Sequence, residues 1–244
     1  MRKQIRPAPG MNLTAEIKTG LRCVIEDLLS PIPTEHLRPG PHASFITPSG
    51  ITLKAGDPVT TYVARNLEPH RGFNVFVRAL ERIQKAHPRC HALIVGGDGV
   101  SYGRPPPADA KAANWREYML REVRLDPART HFLGRVAYAD YLKVLQVSAA
   151  HVYLTYPFVL SWSLLEAAVL GCRLVASDTA PVKEYLNPAE ATRVVGFFDT
   201  KTITEVILDL MAKPCTSEWE AERTALMVRF AVKPKEYANF LCGN

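Results

Sequence analysis

His151-Val152-Tyr153-Leu154-Thr155, running on into Tyr156-Pro157-Phe158-Val159-Leu160-Ser161-Trp162-Ser163-Leu164-Leu165-Glu166-Ala167-Ala168, reads as an apolar strand, a short turn and a helix opened by a Ser-rich segment. This strand-turn-helix unit belongs to an α/β protein, and its turn is where such a protein holds a phosphate. The first N–H groups of a helix lack partners within it and carry the positive end of its dipole, so an anion docked there is stabilised without a cationic side chain. Glu166, one turn further in, can accept hydrogen bonds from the hydroxyls of a sugar or ribose. Ser163-x-x-Glu166 also fits a capping box, in which the two side chains satisfy backbone N–H groups and bind nothing.

The same unit repeats on either side. Upstream, Val59 to Ala64 reads as a strand, Phe73 to Lys85 as a helix with Phe73, Phe76, Val77, Leu80 and Ile83 on one face, and His91 to Val95 as a second strand ending in Gly96-Gly97-Asp98-Gly99. A helix from Ala112 to Val123, a strand at His131 to Leu133 and a helix at Asp140 to Gln146 follow. Downstream come a strand at Arg173 to Ser177, a helical turn near Val182 to Tyr185, a strand at Arg193 to Val195 and a helix from Ile203 to Met211. This alternation predicts right-handed βαβ units and a Rossmann-like, doubly wound, mainly parallel sheet over residues 59–213. Residues 1–58, punctuated by Pro31, Pro33, Pro39 and Pro41, read as an extension and irregular lead-in, and 214–244 as a helical tail.

Ligands of such sheets bind at the carboxyl ends of the strands. Arg65, the glycines 96–99, Gly134 with Arg135, and the turn before Ser163 all fall there. Arg65-Asn66-Leu67-Glu68-Pro69-His70-Arg71-Gly72 puts two guanidinium groups in one strand-to-helix loop, where Gly72 permits close backbone approach. Their planar forks suit a diphosphate. The competing reading pairs Arg65 with Glu68 and leaves Arg71 in solvent.

Other chemistries lack their signatures. The glycine run is not G-x-G-x-x-G, no Walker loop occurs, and no H-E-x-x-H or close His/Asp cluster offers a metal site. His131 and His151 sit on strands and read as core histidines, and Ser161 and Ser163 lack a G-x-S-x-G setting. Five separated cysteines, Cys23, Cys90, Cys172, Cys215 and Cys242, argue for reduced thiols rather than a disulfide framework. The net charge of +6 is scattered without an interleaved aromatic stripe, which disfavours nucleic acid, and no apolar run approaches the roughly 20 residues of a membrane span. A cytoplasmic location is expected.

Taken in order, Arg65 and Arg71, the Ser-Trp-Ser-Leu-Leu-Glu-Ala segment, Gly171-Cys172 and Ser177-Asp178-Thr179-Ala180-Pro181-Val182-Lys183-Glu184 resemble the carboxy-terminal, donor-binding domain of group 1 (family 4) glycosyltransferases, over roughly residues 21 to 213. The resemblance implies one half of a glycosyltransferase B fold and a hexosyl or related transferase that takes its sugar from a nucleotide diphosphate donor with retention, without a cofactor or metal. It implies that Arg65 and Arg71, the second normally a Lys, bind the donor diphosphate. Gly72, Gly97, Gly134, Ser161, Trp162, Ser163 and Leu165 would line the donor site, and Glu166, second Glu of the family's E-x7-E motif, would bind the ribose. The first Glu of that motif falls at Phe158. The family's acceptor-binding domain should precede this segment, so the chain is expected to be inactive alone and to need an amino-terminal-half partner or self-association. The acceptor would be a glycan or lipid in polysaccharide synthesis. The alternatives are a non-catalytic nucleotide-sugar-binding module or truncated remnant, and a same-fold nucleotide-sugar epimerase, which the Ser-Trp-Ser-Leu-Leu-Glu pattern disfavours.

Overall fold

The computed structural model describes residues 37–156, 161–186 and 192–213. An antiparallel hairpin, β1 (Ser44–Ile46) and β2 (Thr52–Lys54), leads into β3 (Val59–Asn66), α1 (Phe73–Ala86), β4 (His91–Gly97), α2 (Trp115–Glu122), β5 (Thr130–Gly134) and α3 (Tyr138–Gln146). The second half runs β6 (Ala150–Tyr153), α4 (Trp162–Val169), β7 (Leu174–Ser177), α5 (Ala180–Tyr185), β8 (Thr192–Val195) and α6 (Thr200–Ala212). Strands β3 to β8 form one parallel sheet in the order β5-β4-β3-β6-β7-β8. The chain builds outward from β3 to β5, then returns to lay β6 against the other side of β3. That reversal, between β3 and β6, is the switch point at whose carboxyl ends doubly wound sheets bind their ligands.

Burial on both faces explains why these strands read as near-continuous apolar runs: every residue of β6 and β7 is buried. On one face α1 and α6 pack over Tyr62, Ile94, Val152 and Val175, with Phe73, Phe76, Val77, Leu80 and Ile83 of α1 wholly buried and Phe76 stacked on Tyr62 at 4.9 Å. On the other, Phe45 and Leu53 of the hairpin join Val59, Leu93, Val95 and, from α3, Val144. The lead-in expected to be irregular therefore supplies a hairpin that covers part of the sheet. Three-residue strands are too short for their alternation to stand out in sequence. Helix α2 starts later than expected, at Trp115, because Asn114 Oδ1 accepts from Glu117 N at 2.8 Å and caps it there. The tail at 214–244 and most of the lead-in lie outside the described residues.

Both strand histidines are core residues. His151 is fully buried on β6 with Nδ1 2.8 Å from Thr61 Oγ1, and desolvation lowers its pKa to about 3. His131 is buried beside His91, its Nε2 3.1 Å from Nδ1 of His91, and burial followed by mutual repulsion lowers its pKa. Between pH 6.5 and about 3 the unfolded chain protonates His151 while the native one does not, so this contribution is complete above pH 6.5 and shrinks as the pH falls. Through this one group the domain should be about 2 kcal/mol less stable at pH 5 than at pH 7. Urea unfolding at the two pH values, repeated with His151→Gln, measures it; an equal pH slope in the variant would remove the assignment.

Candidate functional site

The centre of the site is the junction of two loops at the carboxyl edge. After β3 the chain makes a single 3-10 turn, Pro69–Arg71, and reverses at Gly72 with φ +73° into α1. Only glycine fits there. A Cβ on Gly72 would lie 2.3 Å from Leu154 Cβ, so the turn rests directly on the chain leaving β6. Two further bonds stitch the junction: Tyr62 OH donates to Arg71 O at 2.7 Å, and Tyr156 N donates to His70 O at 3.2 Å. Thr155 is itself fixed to β7, its N donating to Ser177 Oγ and its O accepting from the same hydroxyl.

This stitching places Arg71. The half-buried guanidinium donates from Nη1 to Thr155 Oγ1 at 3.2 Å and lies over the Tyr102 ring, 4.8 Å from its centroid. Arg65 stands exposed near the end of β3. Its expected competitor role, pairing with Glu68, is not what the chain does: Glu68 is fully buried and accepts three backbone N–H bonds from residues 101–103. Nor is Arg71 left to solvent.

The other loops meet the same edge. A Cβ on Gly97 would lie 2.7 Å from Asn66 Oδ1 and 3.3 Å from Arg135 Nε, so the ends of β3, β4 and β5 crowd together there and Arg135 arches over the glycine. Gly134 has φ +64° with open space where a Cβ would be. Residues 157–160, including Phe158, lie outside the described residues.

Helix α4 begins with Ser161 as N-cap, whose side chain makes no capping bond; Ser161 Oγ instead sits 2.7 Å from Ser163 Oγ. Ser161 N donates to Tyr153 OH at 3.1 Å, which ties the helix start to β6. Ser163 is thus inside the helix, and the capping-box reading of Ser163-x-x-Glu166 does not hold. Glu166 faces α3, where Tyr138 OH donates to Oε1 at 2.8 Å and Tyr141 OH to Oε2 at 2.7 Å. Each carboxylate oxygen keeps further lone pairs for a hydroxylic ligand. Burial and then this bond push the Tyr138 phenol up to about 12; burial, then Glu166, raise Tyr141 as well, so both remain donors at neutral pH. Trp162 is exposed and Leu165 buried.

Of the exposed large apolar side chains of the described residues, Val100, Tyr102, Tyr138, Tyr156, Trp162 and Phe198 all lie on this edge, and only Ile46 and Leu120 elsewhere. No three His, Cys, Asp or Glu side chains group together among the described residues, and no described helix is long and apolar enough to cross a membrane. Glu68, Tyr102, Tyr138 and Tyr141 were not visible as site residues in the sequence. Tyr138 and Tyr141 do share a helix face at i, i+3, but their partner lies on another helix 25 to 28 residues away.

Two of the positive-φ glycines, Gly72 and Gly134, separate strain from crowding. Gly72→Ala combines an unfavourable φ with a backbone-near clash and should cost about 2–4 kcal/mol, while Gly134→Ala meets only the φ penalty, roughly 1 kcal/mol. Denaturant midpoints of the two variants check this; equal costs would mean that the Gly72 to Leu154 contact does not constrain the fold.

A sequence model described as Glycosyl transferases group 1 matches residues 57–213. Among solved structures the chain is similar to sucrose-phosphate synthase from Thermosynechococcus elongatus, with TM-score 0.56 and 21% identity over 77% of this chain and 46% of that one. It is similar to Anabaena HepE in complex with UDP-glucose, with TM-score 0.57 and 16% identity over 77% of this chain and 49% of that one. It also matches the C-terminal domain of a glycosyl transferase group 1 family protein from Francisella tularensis, with TM-score 0.56 and 15% identity over 81% of this chain and 93% of that domain. The chain thus spans less than half the length of the first two. No curated protein matches it in sequence.

Proposed function

The chain belongs to the group 1 glycosyl transferases, and from that premise we propose that its carboxyl edge binds the nucleoside diphosphate of a sugar donor, as the donor-binding domain of a retaining hexosyl or related transferase. One observation carries the reading: Arg71, the start of α4 and a Glu166 carboxylate held by two tyrosines stand together on the edge where β3 and β6 part. The structure of HepE in complex with UDP-glucose gives the reading a precedent in the same fold.

In this account Arg65 and Arg71 take the diphosphate, aided by the N–H groups around Ser161, Trp162 and Ser163. As the glycosidic bond breaks, negative charge grows on the leaving diphosphate, and preorganised donors stabilise that charge more than the ground state. A guanidinium fixed on two sides needs little reorganisation for the task. Glu166 accepts from the ribose hydroxyls, and the backbone at Gly72, Gly97 and Gly134 approaches the nucleotide or sugar. The aromatic fringe of the edge, Tyr156 and Phe198 included, suits cover by an acceptor-binding segment that brings the glycan or lipid. The setting would be cytoplasmic polysaccharide synthesis. A second reading, a non-catalytic nucleotide-sugar-binding module, draws on Phe158, where the family carries a carboxylate.

Calorimetry with UDP, GDP and ADP tests the site. Losing a charge-assisted hydrogen bond costs about 1.5–3 kcal/mol, so Arg71→Ala should weaken the bound nucleotide at least about tenfold. Unchanged affinity in a folded Arg65→Ala/Arg71→Ala protein would remove the diphosphate assignment. Glu166→Gln leaves a single oxygen for the Tyr138 and Tyr141 hydroxyls and should lower melting temperature as well as affinity, so the ribose role is tested on the ligand: wild-type protein should prefer the ribose nucleotide to its dideoxy analogue, and equal affinity for the two would sink it. Labelled nucleotide sugars should bind the isolated chain without being transferred, and transfer should appear when an acceptor-binding half is supplied. Efficient transfer by the chain alone contradicts the donor-domain reading, and none with that half favours the binding module.

A further inference from the structure

Glu68 is a carboxylate with no exposure to solvent, in a loop that the proposed function assigns to its neighbours Arg65 and Arg71. A charge withdrawn from water must be compensated. At one oxygen the compensation comes from a loop 33 to 35 residues further on: Glu68 Oε2 accepts from the backbone N–H of Ser101 at 3.2 Å, Tyr102 at 3.1 Å and Gly103 at 3.1 Å, while Oε1 is buried without a hydrogen-bond partner. Successive amides converging on one oxygen form an anion nest, here filled from within the chain. Asn66 Nδ2 reinforces it by donating to Ser101 Oγ at 2.6 Å. The turn is pressed so close that a Cβ on Gly103 would lie 2.7 Å from His70 Nδ1.

The loop after β4 is therefore fastened to the loop after β3, and the residue in the middle of the fastening is Tyr102. Its ring lies 4.8 Å from the Arg71 guanidinium carbon, on a side chain 43% exposed. We propose that Glu68 and Tyr102 are positioning residues for the donor diphosphate. Glu68 holds the 101–103 backbone, that backbone holds the Tyr102 ring against Arg71, and the ring with Thr155 fixes the direction in which the guanidinium fork meets phosphate oxygens. This rests on the nucleoside diphosphate reading of the edge, and it deepens that reading by assigning the β4 loop a part in it.

The test is a mutant cycle read by nucleoside diphosphate affinity, using whichever of UDP, GDP and ADP binds the wild type most tightly. Tyr102→Leu should weaken binding three- to fivefold with an unchanged melting temperature, and Tyr102→Phe, which keeps the ring, should stay within twofold of wild type. In an Arg71→Ala background Tyr102→Leu should have no further effect, because the tyrosine acts through the arginine. Full affinity in Tyr102→Leu, or an additive loss in the double variant, overturns the proposal. Glu68→Gln should speed amide exchange at residues 101–103 at least tenfold in the ligand-free protein; if that variant does not fold, the Tyr102 series decides alone. Absence of binding by wild-type protein would strike the function reading itself, whereas wild-type binding indifferent to Tyr102 strikes only this inference.

Discussion

Between Gly72 and Leu154 there is no room for one carbon atom, and the arrangement of the carboxyl edge follows from that contact. A parallel sheet that reverses direction between β3 and β6 separates the two loops leaving those strands, which normally opens a crevice. Here the left-handed glycine lets the first loop fold back onto the second before α1 begins. Arg71, one residue earlier, is thereby delivered to Thr155, whose own backbone is fixed to β7 through Ser177. Three strands that are distant in sequence thus determine where one guanidinium group stands.

Two carboxylates on this edge are held differently. Glu68 is enclosed, with Oε2 accepting three backbone amides and Oε1 buried without a hydrogen-bond partner, so it ties loops together. Glu166 is only half-buried and is held by two phenols that donate one bond to each oxygen, which orients the carboxylate and leaves it accessible. At the neighbouring start of α4 the Ser161 side chain makes no capping bond, and Ser161 N donates to Tyr153 OH.

The fold was legible because parallel strands buried on both faces produce apolar runs, as at Val59 to Ala64 and His91 to Val95, and because Phe73 to Ile83 carries a full helical stripe. The hairpin at Ser44–Lys54 was not legible, since three residues per strand give too short an alternation to stand out among prolines and glycines. In the site, Arg71, Gly72 and Glu166 could be found from local spacing alone. The capping box looked equally good in sequence, and only the start of α4 at Trp162 set Ser163 inside the helix and turned Glu166 toward α3. The partners of Glu68, Tyr102 and Tyr141 were not legible because each lies at least 25 residues away. Such pairings depend on tertiary proximity, which no window of local sequence contains.

The central claim is that nucleotide recognition is concentrated at the carboxyl edge where β3 and β6 part. A ¹H–¹⁵N titration of the whole chain with UDP, GDP and ADP examines every backbone amide at once. The account predicts that one of them shifts amides of residues 65–72, 96–103, 134–138 and 161–166 together, saturating on a single curve. Largest shifts at the opposite edge, around His87–His91 and Asp126–Thr130, would contradict it.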